Sequence, residues 1–191
     1  INDSPYLVGA SIFYSFRGSS TNYYFPLDFT VGGAVASFGR RLEWPDDFFR
    51  VMWSAKFMQK EYEGSQSDID NYIGGLEKTR GISLSQVLSR DSRNRAEFPT
   101  NGSTFILENT YSGGFLGGNE NFQKHMLTLD WFTPTFSKFV LYNSVKLGVI
   151  KTIDVGDDIQ SFVPFDERFI MGGNGIPYGN CLLYTSDAAD E

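Results

Sequence analysis

The sequence predicts an all-β protein, an antiparallel transmembrane β-barrel of which this chain holds an incomplete set of about seven strands. Three observations predict it. Apolar and polar residues alternate with a period of two over strand-sized segments. Short and long connections between those segments take turns along the chain, as periplasmic turns and extracellular loops do. Aromatic residues, 16% of the 191, gather toward the segment ends, where amphipathic rings meet a membrane interface.

The segments run at about 5–17, 28–41, 48–62, 81–91, 103–112, 122–133 and 138–151. In the third, Phe49, Val51, Trp53, Ala55 and Phe57 share one side, and Arg50, Met52, Ser54, Lys56 and Met58 share the other. In the sixth, Leu127, Leu129 and Trp131 oppose Lys124, Thr128 and Asp130. In the seventh, Phe139, Leu141, Val145, Leu147 and Val149 oppose Tyr142, Ser144, Lys146 and Gly148. A helix would scatter these sets around its circumference, whereas a strand separates them. The polar set, with Lys124, Asp130 and Lys146 foremost, is expected to face a wet lumen.

Short links fall at 43–47, 98–102 and 133–137, and longer polar ones at 18–27, 63–80, 113–121 and from 152 onward. Trp44, Phe48, Phe98, Trp131, Phe132 and Phe136 are expected at the short-turn rim. Tyr14, Phe16, Tyr23, Tyr24, Tyr62, Tyr111 and Phe122 are expected at the long-loop rim. An odd number of strands does not close, and unpaired edges in lipid cost several kcal/mol per backbone group. Further strands are therefore expected outside this chain.

Bulk properties narrow the function classes. Mean hydropathy is -0.25, and no stretch approaches the roughly 18 apolar residues of a membrane helix. Barrel strands keep mean hydropathy low because every second residue faces water. The net charge of -7 argues against nucleic acid as a partner. One cysteine, Cys181, makes neither a disulfide framework nor a cysteine-rich metal site. The one histidine, His125, falls in phase with Leu127 and Leu129 on the lipid-facing side, away from any nucleophile. Asp154, Asp157 and Asp158 lack the spacing of an EF-hand loop. Gly172-Gly173-Asn174-Gly175 follows no βα unit that would cradle phosphate. The expectation is a protein that is not an enzyme and has no cofactor, catalytic residue or metal site.

The ends carry two further expectations. The chain opens at Ile1 with no secretory signal, so the natural start is expected upstream. Residues 181–191, CLLYTSDAADE, share none of the preceding alternation and resemble a translated sequencing adapter, a non-native tail. Residues 1–180 are then one partial barrel domain.

Two motifs carry a family resemblance. Phe98-Pro99-Thr100-Asn101-Gly102-Ser103, approached by the arginine-bearing Ser89–Asn94, resembles the F-P-T-x-G-S periplasmic turn of the BamA family of outer-membrane assembly factors. Pro99 fixes φ there, and Asn-Gly tolerates positive φ at a tight reversal. Arg168-Phe169-Ile170-Met171-Gly172-Gly173 resembles the R-F-x-x-G-G stretch opening that family's long sixth extracellular loop, which folds back into the lumen. A weaker match is Gly39–Asp47, similar to a G-R-R-L-x-W-P-D-D turn of some homologues.

The resemblance covers roughly 5–180 and implies strands five to eleven of a sixteen-strand barrel. It also implies partners: outer-membrane lipids, unfolded outer-membrane protein clients, and assembly-complex lipoproteins reached through periplasmic POTRA domains. Those domains, the first and last strands, and the loop-tip Arg-Gly motif have no counterpart among these residues. The implied activity is folding and inserting other barrels without nucleotide hydrolysis. Alternatives are a TamA-like or two-partner secretion transporter of the same superfamily, a passive porin-type channel, and a soluble β-sandwich.

Overall fold

A computed structural model describes residues 5–18, 27–155, 163–164, 167–171 and 181–182. Seven strands form one sheet in strict sequence order: β1 (Tyr6–Arg17), β2 (Asp28–Arg41), β3 (Phe49–Glu63), β4 (Lys78–Asp91), β5 (Gly102–Ser112), β6 (Phe122–Pro134) and β7 (Val140–Thr152). Every neighbour pair is antiparallel. All boundaries fall within three residues of the segments read from periodicity. A two-residue pair, β8 (Ile170–Met171) with β9 (Cys181–Leu182), stands apart from this sheet. It brings part of the unusual C-terminal stretch into a backbone ladder, which needs no particular side chains.

The register sorts side chains onto two faces. Val8, Phe38, Trp53, Gln86, Asn109, His125 and Val149 form one continuous row across all seven strands. On the same face lie Ile12 and Leu147, 89% and 60% exposed, with Val145 beside Leu129. Large apolar side chains left open to this extent suit hydrocarbon as the medium. The opposite, inner face carries Ser37, Ser54, Ser85, Thr110 and Lys124 in one row. Ser85 and Thr110 hydroxyls bond across strands at 3.0 Å.

The long β3–β4 connection contains a two-turn helix, α1 (Gln66–Ile73), which periodicity did not reveal. Ser65 caps it by accepting from the Asp68 amide at 3.3 Å, and Gly74 ends it at φ 68°. Ile69 and Ile73, one turn apart, bury against Leu27 and Tyr62.

The rim aromatics need a correction. Tyr62 and Phe122 sit at the long-loop end but are buried, 8% and 2% exposed. They share phase with Lys60 and Lys124, so they turn inward rather than toward lipid. Phe132 likewise stacks on Tyr142, ring centres 4.9 Å apart, on the inner face. Tyr14, Phe16 and Trp131 remain on the outer face, and Tyr23 and Tyr24 lie outside the described residues.

Candidate functional site

Residues 163–164 and 167–169 lie over the inner face. The Glu167 amide donates to the Pro164 carbonyl at 3.1 Å, closing a tight turn. That turn aims the Glu167 carboxylate at two lysines on different strands. Lys124 of β6 lies 3.0 Å from one oxygen, and Lys56 of β3 lies 3.7 Å from the other. The Lys124 ammonium also donates to the Glu167 carbonyl at 2.9 Å and sits 5.2 Å from the Phe169 ring centre. One carboxylate thus ties the returning chain to strands three places apart in the sheet. These groups keep only about a fifth to a third of their side-chain surface in water, so the attraction is weakly screened.

Phe169 is seated by a missing side chain. A Cβ on Gly148 of β7 would lie 2.4 Å from its ring. Glycine at this inner-face position lets the ring lie on bare backbone. Arg168 folds back on the same turn, its Nε donating to the Val163 carbonyl at 3.1 Å. Gly172 and Gly173, the rest of this motif, lie outside the described residues, as do Asp157 and Asp158.

Of the other polar residues singled out by sequence, Asp130 accepts from Thr104 Oγ1 at 3.0 Å and from the Tyr142 hydroxyl at 2.9 Å. Lys146 stands opposite Thr128, one step along the same face. Lys124, Asp130 and Lys146 therefore share a face but form no single cluster. His125, on the other face, meets Asn109 at 2.8 Å. Among the described residues, no group of three metal-ligating side chains occurs.

The β4–β5 turn is held by backbone demands. Gly102 has φ +107°, and a Cβ there would lie 2.4 Å from the Ser92 carbonyl oxygen. Asn94 Oδ1 accepts from the Thr100 and Asn101 amides at 3.0 and 3.2 Å, bracing the loop from inside. Phe98 takes φ +49° and leaves its ring 88% exposed, with Pro99 following. Arg90 reaches from β4 to Asp46 of the preceding short turn at 2.9 Å, linking two turns at this rim.

One buried pair escaped sequence reading. Lys60 of β3 and Glu120 of the β5–β6 loop meet at 3.3 Å with 2% and 3% of their side chains exposed. Thr79 donates to the same carboxylate at 2.9 Å. Gly81 makes room, since a Cβ there would lie 2.5 Å from Glu120 Oε2. The 60-residue separation leaves no local signal for such a pair.

A family profile for the Omp85 superfamily domain matches residues 1–181. The chain is also 31% identical over 111 residues to the "Outer membrane protein assembly factor BamA" of Nitratidesulfovibrio vulgaris (strain Hildenborough). That alignment takes in 56% of this chain but 13% of the relative, so the chain spans a small part of the relative's length. Seven outer-membrane strands with one apolar and one polar face, and a profile match over nearly the whole length, place this chain in the Omp85 superfamily.

Proposed function

We propose that the protein carrying this chain folds and inserts other outer-membrane proteins, as the name of its BamA relative describes. The observation that carries this reading is the seating of the Arg168-Phe169 stretch on the inner wall, through Glu167, Lys56, Lys124 and Gly148. A passive pore has no need of a loop base clamped to strands three places apart. The part played by this segment is that of a fixed wall and loop mount, with no bond-making chemistry. The whole barrel then lowers the insertion barrier by offering a sheet edge for backbone pairing and perturbing the adjacent bilayer. Its partners are outer-membrane lipids, unfolded barrel clients and, through periplasmic POTRA domains, lipoproteins of an assembly complex.

The superfamily match accommodates a second member type, a TamA-like or two-partner secretion transporter. One experiment separates them. The full-length protein is placed in liposomes and given a urea-denatured outer-membrane barrel, whose insertion is followed by heat-modifiable gel migration. Faster insertion than into empty liposomes supports the assembly reading. Equal rates with and without the protein refute it, and export of one dedicated soluble substrate favours the transporter.

A further inference from the structure

At the short-turn end of the inner face lies a cavity of about 470 Å³ with an unusual excess of arginine. Arg41 of β2 and Arg50 of β3 stand directly opposite each other in the register, on the same face. Like charges so placed repel unless something negative lies between them. Arg93 and Arg95 add two more guanidinium groups from the turn after β4, and Arg90, whose position in β4 has the outer-face phase, borders the cavity from its rim.

The nearby acids neutralise them only in part. Asp91 is engaged by Arg93, at 2.9 and 2.7 Å to its two oxygens. Asp46 is engaged by Arg90. Asp47 offers Arg41 its backbone carbonyl, at 2.7 Å. Among the described residues, the side chains of Arg50 and Arg95 have no hydrogen bond and no ion pair within 4 Å, and Arg50 feels the Asp91 carboxylate, already held by Arg93, only through space. In a chain with net charge -7, this is a local reversal of sign.

We propose that this cavity binds an acidic polypeptide segment through its carboxylates, entering from the aqueous side at the short-turn mouth. Three features select that occupant. Arg41, Arg50, Ser89 and Asp91 belong to the inner face, so lipid headgroups bordering the outer face do not reach it. Arg50 and Arg95 come from different elements and call for more than one carboxylate, each matched to a planar guanidinium fork. Phe48, Ala96 and Ile106 share the wall and offer apolar contact to the aliphatic stems of acidic side chains, which a bare inorganic ion could not use. The inference goes beyond the assembly reading and holds for either type of superfamily member.

The test uses the full-length protein in detergent and fluorescein-labelled hexaglutamate, read by anisotropy. Hexaglutamine is the uncharged control. Wild type should bind hexaglutamate and not hexaglutamine. R50Q/R95Q should weaken binding at least about tenfold, because charge-assisted hydrogen bonds are lost. R50K/R95K should recover part of the loss. R40Q/K138Q, removing the same charge outside the cavity, should stay within about twofold of wild type. Heat-modifiable migration confirms that each variant is folded, and R95Q alone serves if the double variant is not. No binding by wild type overturns the proposal. So does equal weakening in R50Q/R95Q and R40Q/K138Q, which would mean diffuse charge. Displacement of hexaglutamate by equimolar inorganic phosphate would assign the cavity to a small oxyanion and also overturn it.

Discussion

Adding one carbon atom at Gly148 should unseat the loop base while leaving the sheet intact. The Cβ of Gly148→Ala would fall 2.4 to 3.0 Å from three atoms of the Phe169 ring, closer than packed carbons approach, so the ring must leave. Full burial of a phenylalanine stabilises by roughly 1.5–3 kcal/mol, and Phe169 is half-buried, giving about 1–1.5 kcal/mol. Its contact with the Lys124 ammonium adds about 0.5–1 kcal/mol. The sum, about 2 kcal/mol, corresponds to roughly a 30-fold shift in a local opening equilibrium. The assay is amide hydrogen exchange in the full-length protein, read at the Glu167 amide bonded to Pro164. Exchange there should quicken by about 30-fold. β7 should keep its protection or gain slightly, because alanine suits a strand better than glycine. Glu167→Gln should quicken exchange at the same amide, since it removes the charge shared by Lys56 and Lys124. Unchanged exchange in Gly148→Ala would refute the seating of Phe169 on β7.

Three other perturbations probe separate parts of the account. Lys60→Met leaves Glu120 buried without its ion partner and should cost about 3–5 kcal/mol in denaturant unfolding; Lys60→Met with Glu120→Leu should regain most of that. Gly102→Ala forces a Cβ into the Ser92 carbonyl at a φ that L-residues avoid, and should cost about 1–3 kcal/mol, visible as a lowered unfolding midpoint. Leu147→Arg puts a charge on the outer face and should cost about 2–4 kcal/mol of barrel stability in lipid, whereas Lys146→Leu on the inner face should stay within about 1 kcal/mol.

Strands were legible because burial on two different media writes a period of two into the sequence. Phe49 to Met58 and Phe139 to Val149 carry it almost without interruption, and their boundaries follow closely. The helix at Gln66–Ile73 was hidden because two turns in a polar loop show only two aliphatic residues, Ile69 and Ile73, beside Tyr72. Rim aromatics were misplaced where nearness to a strand end was weighed and phase was not: Tyr62, Phe122 and Phe132 have the phase of the inner face. Arg168 and Phe169 stood out as a motif, but their anchors did not. Lys124 read only as a wet-face residue, and Gly148 only as one more member of that polar face. Their meeting at Glu167 depends on how the chain returns over the sheet, a long-range fact that periodicity cannot encode. The arginine cavity is invisible to periodicity for the same reason, since Arg41 and Arg50 become neighbours only through the register and Arg95 joins them only through the turn after β4.

The two-sided sheet is most directly tested by single cysteines at adjacent positions of β7. Val145→Cys and Lys146→Cys are made in the full-length protein in intact outer membranes and exposed to a charged, bilayer-impermeant maleimide. The account predicts rapid labelling at 146 and protection at 145, with Leu147→Cys protected and Ser144→Cys labelled. Equal aqueous labelling along this run would contradict it.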